Sequence, residues 1–219
     1  MPEKIVSFIP IKLNNQRLPG KNLLPLHGKP ACAYLFDVIS QVRGIDEKYV
    51  FCSDESIREY MPAGLTFLKR EKWLDGFDVK GLDIIGNFIE TVDADIYVLT
   101  HVTSPFMKPS SFETALSKIL YEGYDSAFSA EAMQGYCWYQ GKPINYNPQD
   151  IVTTQNLEAV YMETGGFFMF RKEVFVKYHR RIGLNPYLHV IDRFEGVDID
   201  TKEDFDYAQA VAAFLASQQ

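Results

Sequence analysis

Three cations, Lys12, Arg17 and Lys21, fall within ten positions of one another in K-L-N-N-Q-R-L-P-G-K-N, directly after the apolar run Ile5–Ile11. A triphosphate is held by cations and backbone N–H groups, and glycine lets the backbone come close to it. The segment is neither G-x-x-x-x-G-K-S/T nor G-x-G-x-x-G, and an exposed charged loop with a Pro-Gly turn would look the same. Far along the chain, Asp198-Ile199-Asp200-Thr201 puts two acids at alternate positions. On an extended backbone they point the same way. Two such carboxylates suit Mg²⁺, which takes one or two of them with phosphate and water oxygens. A helix-capping Asp beside a merely solvated one is the plainer alternative. His101-Val102-Thr103-Ser104-Pro105 offers an imidazole and hydroxyls to a base, a ribose or an acceptor, or is only the start of a loop. Glu163-Thr164-Gly165-Gly166 brings paired glycines into a strand, where a ligand or another backbone comes close, or where a bulge forms. His27, His101, His179 and His189 have no metal-binding spacing. Cys32 and Cys52 suit the core, and Trp73, Trp138 and Phe167–Phe170 suit core or subunit contact.

Elements must present these groups. Ile5–Ile11, Lys48–Ser53, Thr66–Arg70, Asp95–Thr100, Ser126–Ala130, Gly166–Phe170 and His189–Ile191 read as strands, rich in β-branched and aromatic residues. Ala31–Val42, Leu82–Val92, Ser110 or Ser111 to about Glu122, Lys172–Arg180 and Thr201–Leu215 read as helices. Asp54 or Ser53 would cap a short helix ending near Pro62, and Glu113 would supply part of a cap for the helix after Pro109. Thr201 with Asp204 is a capping pair. Met133–Tyr161 is aromatic, polar and broken by Gly and Pro, so short strands with a hairpin around Gly141 are expected. Strands alternating with helices predict an α/β fold, a mostly parallel sheet flanked by helices. Ligands of such sheets sit beyond the carboxyl ends of the strands. That rule selects Lys12–Asn22, Ser53–Asp54, His101–Ser104 and Asp198–Thr201.

The 219 residues fit one domain spanning 1–219, long enough to bury about 70% of the unfolded surface. With 22 Lys+Arg against 29 Asp+Glu, the formal charge is −7, which argues against a nucleic-acid partner. Three cysteines are too few for a disulfide framework. The opening M-P-E-K-I-V-S-F-I-P is not a secretory signal. No window approaches the ~18 apolar residues of a membrane span. A cytoplasmic location, without membrane association, is expected.

As an ordered set these segments resemble the sugar-acid cytidylyltransferases: acylneuraminate cytidylyltransferases (CMP-sialic acid synthetases) and their pseudaminic and legionaminic acid relatives above all, with CMP-KDO synthetases more distant. The family's I-P-A-R and L-P-x-K-N are met by Ile9-Pro10-Ile11-Lys12 and Leu18-Pro19-Gly20-Lys21-Asn22. Its S-T-D-D is met by Cys52-Ser53-Asp54-Glu55, and an arginine of the next short strand by Arg70. Its Q-P-T-S-P is met by His101–Pro105. Its R-Q-x-L-P-x-x-Y-x-x-N-G is met by Thr154-Gln155-Asn156-Leu157 and Tyr161–Gly165, and its D-I-D-T is intact at Asp198–Thr201. The departures are Lys12 for arginine, Leu13–Gln16 for G-G-S-K, His101 and Val102 for Gln-Pro, Thr154 for arginine and Thr164 for asparagine. Several of these fall on the acceptor side.

The resemblance implies a Rossmann-like nucleotidyltransferase fold, with residues 133–165 as a small dimerisation element or acceptor-side insertion. It implies transfer of CMP from CTP to a 2-keto sugar acid of nonulosonate type, with Mg²⁺, in a homodimer. Lys21, Arg17 and Asp200 would be catalytic. Ile11, Lys12, Leu13, Asn22, Ser53, Asp54 and Arg70 would face the nucleotide. His101, Thr103, Ser104, Gln155, Tyr161, Glu163 and Thr164 would face the acceptor or the partner subunit. Asp198 and Asp200 would hold the metal. The same fold with another nucleotide or acceptor, and a catalytically silent nucleotide-binding homologue, are the alternatives. All of them except the silent one require the cations at 12–21 to meet the acids at 198 and 200.

Overall fold

Ile5–Ile11 has no polar face, so it needs a neighbour on each side and cover above and below. In the computed structural model, which describes residues 2–218, it has all four. It is strand β1 (Ile5–Ile11). There follow a 3₁₀ turn (Lys21–Leu23), a tiny hairpin of β2 (Pro25–Leu26) and β3 (Lys29–Pro30), and α1 (Ala31–Gln41). Next come β4 (Glu47–Cys52), β5 (Thr66–Lys69), α2 (Gly81–Thr91), β6 (Ile96–Thr100), α3 (Pro109–Tyr121) and β7 (Ser126–Met133). A second small hairpin, β8 (Trp138–Tyr139) and β9 (Lys142–Pro143), precedes β10 (Val160–Arg171), α4 (Lys172–Tyr178), β11 (Pro186–Ile191) and α5 (Lys202–Ser217). The main sheet has the order β11-β7-β10-β6-β1-β4-β5. Only β10 runs against its neighbours; the other pairings are parallel.

The period of two along β1 divides the core. Ile5, Ile9 and Ile11 pack on one face against α1 and α3, with Leu35, Phe36, Phe112 and Leu116. Val6 and Phe8 pack on the other against α2 and α4, with Ile85, Phe88 and Val174. Phe8 stacks on Phe88 with ring centroids 4.2 Å apart. The chain passes from β1 to β4 and β5 on one side, then returns to β6 on the other. The sheet therefore has a switch point at the carboxyl end of β1, where open α/β sheets bind ligands.

A third apolar cluster matters most for the site. Phe205, Ala208 and Val211 of α5 pack with Val197 and Ile199, and with Leu26 and Phe106. Leu18 and Leu24 of the loop after β1 lie against the same cluster. Burying Val197 and Ile199 fixes the extended segment between them, and so places Asp198 and Asp200 beside the loop. Thr201 caps α5 by accepting from the Asp204 N–H, and Asp204 in turn accepts from the Thr201 N–H, as the sequence predicts.

Three expectations change. β10 is twelve residues rather than five, and its early part, Val160–Glu163, pairs with β7. A register irregularity between Glu163 and Phe168 interrupts the alternation there. The cap predicted for α3 does not form: Glu113 accepts from the Arg43 backbone N–H, and the Ser111 hydroxyl donates to Glu195. Of the two places expected for Trp73 and Trp138, core or subunit contact, the core is excluded, since they are 58% and 57% exposed. The predicted Gly141 hairpin does form, with Gln140 and Gly141 both at positive φ, the turn that matches strand twist. Cys32 and Cys52 are buried. Among the described residues no helix is long and apolar enough to cross a membrane.

Candidate active site

Strand register delivers the site residues to one edge. Ile11 pairs with Cys52 and Cys52 with Lys69, so Lys12, Ser53 and Arg70 leave the sheet side by side. Ile11 is buried at the strand end and Leu13 packs partly into the core. The loop is then folded back by Asn22, a buried side chain whose amide donates to the Lys12 carbonyl at 2.8 Å. Gly20, at a φ of 65°, opens the 3₁₀ turn that follows.

The required convergence occurs. The Lys21 ammonium donates to Asp200 Oδ1 and to the Ile199 carbonyl, both at 2.7 Å. The Arg17 guanidinium reaches Asp200 Oδ2, also at 2.7 Å. Lys21 is 12% exposed and Arg17 66%, so Lys21 is the buried cation and Arg17 the exposed one. A cavity of about 210 Å³ lies here, lined by Lys12, Arg17, Lys21, Phe77 and Asp200. The Lys12 ammonium sits 4.7 Å over the Phe77 ring.

Lys12 also borders a second cavity of about 190 Å³, with Pro10, Arg70, Leu74, His101 and Arg181 in its wall. Arg181 in turn borders a third, of about 550 Å³, with Lys80 and Glu163. Through these shared residues the three form one cleft along the carboxyl ends of β1 and β6. Its middle wall is braced by Asp75, which sequence reasoning missed. Asp75 accepts from the Ser53 hydroxyl and pairs with the buried Arg70. Burial alone would raise the Asp75 pKa, but the bonds from Ser53 and Arg70 outweigh it and hold the carboxyl below its ordinary value. Among the described residues the buried Arg70 Nε has no hydrogen-bond partner. Asp54 is not in the cleft; it is exposed and caps the 3₁₀ turn Glu55–Tyr60 through the Ser56 N–H.

On the far side, Thr100 pairs with Phe167, and the His101 ring nitrogen Nδ1 lies 2.9 Å from the Gly165 carbonyl. Burial lowers the pKa of His101, which favours the neutral ring. The Thr103 hydroxyl lies near Asp198, and the Thr103 carbonyl accepts from the Ile199 N–H at 2.8 Å. Ser104 is buried next to Gly165. A Cβ at Gly165 would stand 3.4 Å from the Ser104 hydroxyl and 3.7 Å from Asp198 Oδ2, so this glycine keeps the space beside Asp198 open. At Gly166 a Cβ would meet Met107 Sδ at 2.6 Å and Ser129 Oγ at 2.8 Å; the close approach there is protein packing. Thr164 bonds to Ser129. Gln155 and Tyr161 are exposed and line none of the three cavities.

A family model described as cytidylyltransferase matches residues 6–219. The chain belongs to the cytidylyltransferase family. It is 25% identical over 221 residues to an N-acylneuraminate cytidylyltransferase of Streptococcus agalactiae serotype V, covering 92% of this chain and 52% of that protein. It therefore spans about half the length of that relative. It is 26% identical over 197 residues to a 3-deoxy-manno-octulosonate cytidylyltransferase of Escherichia coli, covering 80% and 75%. The solved structure of a CMP:2-keto-3-deoxy-manno-octonic acid synthetase complexed with CTP superposes with a TM-score of 0.71 at 19% identity, covering 99% of this chain and 100% of that one. A 4-diphosphocytidyl-2C-methyl-D-erythritol synthase from Anaerococcus prevotii gives 0.65 at 12% identity, covering 98% and 96%. The α/β sheet described above is thus the Rossmann-like nucleotidyltransferase fold.

In this member of the family, no group of three or more His, Cys, Asp or Glu forms a metal cage among the described residues. Two carboxylates suffice for Mg²⁺ that also binds substrate phosphates; Asp198 and Asp200 are the acids that would serve, with both Asp200 oxygens now held by Lys21 and Arg17. Asp198 is exposed to solvent, but the protein packed around its base, with the nearby Asp200 carboxylate adding to it and the Thr103 hydroxyl opposing it, raises its pKa above the ordinary 3.8. A raised folded-state pKa means that the folded protein binds more protons in the window just above 3.8, so wild type loses stability as pH rises through it. Asp198→Asn keeps an acceptor for Thr103 and removes this loss. Its melting temperature is expected to exceed that of wild type at pH 7.5, with the advantage fading in acid. Thermal melts across pH check this, and a variant that melts below wild type at pH 7.5 contradicts it.

Proposed function

We propose that this chain transfers CMP from CTP to the anomeric hydroxyl of a 2-keto sugar acid of nonulosonate type, releasing pyrophosphate. The observation that carries the reading is the meeting of Lys21 and Arg17 on Asp200 at the carboxyl end of β1, 2.7 Å from each. As the acceptor oxygen bonds to the α-phosphorus and gives up its proton to solvent, the bond from the α-phosphorus to the oxygen that bridges it to the β-phosphate breaks, and negative charge grows on the α-phosphate and the departing pyrophosphate. Lys21, anchored by the Ile199 carbonyl, is a preorganised countercharge to it. Arg17, more exposed, follows the departing pyrophosphate. Lys12 and Phe77 close the triphosphate end, while Arg70 and the apolar wall of Leu74 and Val79 suit the base. His101, Thr103 and Glu163 face the acceptor end. Asp198 and Asp200 would hold Mg²⁺, which supplies Lewis-acid neutralisation of the phosphate oxygens.

The reading includes a homodimer. The segment around β8 and β9 exposes Tyr136, Trp138, Tyr139 and Ile144, an apolar surface suited to a second copy. Gln155 and Tyr161 are exposed and line none of the three cavities of their own chain, and the chain next to Gln155 is tied to this segment by hydrogen bonds from Gln134 to the Thr154 carbonyl and from Tyr136 to the Val152 carbonyl.

The test is a matrix of four nucleoside triphosphates against eight- and nine-carbon sugar acids, read by pyrophosphate release. Turnover is expected with CTP and a nine-carbon acid, in a species that elutes as a dimer. Turnover with another nucleotide or an eight-carbon acid would move the assignment within the fold. Tight CTP binding with no turnover across the panel would overturn the enzymatic reading.

A further inference from the structure

One cation of the cleft was invisible in the sequence. Helix α4 ends at His179, whose φ of 51° turns the chain back on itself, and Arg180 and Arg181 follow before β11 begins. The guanidinium carbon of Arg181 lies 3.4 Å from the centroid of the Phe168 ring. Phe168 is a buried residue of β10, so it is a rigid platform. An arginine stacked on an aromatic face keeps its guanidinium in a fixed plane. Arg181 borders both the cavity that contains His101 and the larger one that contains Glu163, so it sits where the two meet.

Lys80 and Arg180 line only the larger cavity and do not border the one that contains His101, and the remaining cations nearby are committed. Lys21 and Arg17 hold Asp200, Arg70 holds Asp75, and Lys12 sits over Phe77 at the triphosphate end. Arg181 has one charged partner, Glu163, at 2.8 Å through Nη2. That pair is open to solvent, with the side chains 33% and 43% exposed, so exchanging one carboxylate for another costs little. Among the described residues the Arg181 guanidinium makes no other hydrogen bond, which leaves the rest of its fork for a ligand. A guanidinium fork matches a carboxylate through two parallel bonds.

We propose that Arg181 binds the carboxylate of the acceptor, with Phe168 keeping the guanidinium flat and Glu163 occupying the fork until the acceptor arrives. The inference rests on the cytidylyltransferase reading above and deepens it: this side chain makes the enzyme prefer an acid to its neutral analogue.

The test compares a sugar acid with its carboxamide in wild type, Arg181→Gln and Arg181→Lys, at saturating Mg²⁺ and CTP. Wild type is expected to favour the acid by about 10²-fold in kcat/KM, the worth of a charge-assisted hydrogen-bonded pair. Arg181→Gln should lose that factor on the acid, as a rise in KM, and leave the carboxamide unchanged. Arg181→Lys, which keeps charge without the fork, should fall between. Calorimetric binding of CTP should be the same in all three, which shows that the variants are folded. Equal losses on acid and amide, no loss on either, or weakened CTP binding in Arg181→Gln would overturn the inference while leaving the cytidylyltransferase reading intact. No pyrophosphate from wild type with any acid would overturn both.

Discussion

Replacing Asp200 by alanine is expected to cut pyrophosphate release by about 10²–10³-fold, the scale of losing one fixed electrostatic group from such a site. The carboxylate binds two cations at once, Lys21 through Oδ1 and Arg17 through Oδ2. It is also one of two acids available to Mg²⁺. Without it Arg17 has no anchor in the cleft, while Lys21 keeps the Ile199 carbonyl. The backbone should survive: the Asp200 N–H is satisfied by Asp204, and the packing of Ile199 and Phe205 that fixes the segment is untouched. Far-ultraviolet circular dichroism and the denaturation midpoint should therefore stay near wild type while turnover falls. Because Lys21 and Asp200 act as a unit, Lys21→Met should cost about as much, and the double variant no more than the worse single one. Wild-type turnover in Asp200→Ala would remove Asp200 from the reaction.

The convergence of Lys21 and Asp200 was legible because each half has a local signature. β1 announces itself as an unbroken apolar run, and Asp198–Asp204 joins an extended alternation to a capping box. Their meeting depends on the third apolar cluster, which Leu18, Leu24, Val197 and Ile199 foreshadow only as unremarkable apolar residues. β10 was half hidden because its polar, glycine-containing start pairs with β7 across more than twenty residues, and its irregularity spoils the period of two. Glu113 and Ser111 looked like caps but found tertiary partners in Arg43 and Glu195. Asp54 had two readings in the sequence, a cap and a nucleotide contact, and the fold keeps the cap. Asp75 and Arg181 carry no motif at all. They matter because of what stands opposite them, and nothing in linear spacing reports that.

Asp75→Ala should be the most destabilising single change in the cleft, at about 3–5 kcal/mol, because it leaves a buried guanidinium without its counter-ion. Arg70 and Asp75 have side chains 2% and 6% exposed, and Arg70 Nε is already unsatisfied. The same carboxylate accepts from Ser53, so its loss also strands a hydroxyl. The pH dependence has a definite sign. Asp75 has a folded-state pKa below the ordinary 3.8, so its contribution is fully present above that value and is lost as pH falls through the depressed one. The deficit of Asp75→Ala should accordingly be constant near neutrality and shrink only in strong acid, as urea midpoints across pH would report. Replacing both partners, Arg70→Met with Asp75→Leu, should recover much of the stability, since apolar side chains of similar volume pack well where an ion pair was buried. It should not recover CTP affinity if Arg70 faces the base. A double variant that is stable and still binds CTP as wild type does would make the pair a packing device alone. Stability without binding would tie the middle of the cleft to the nucleotide.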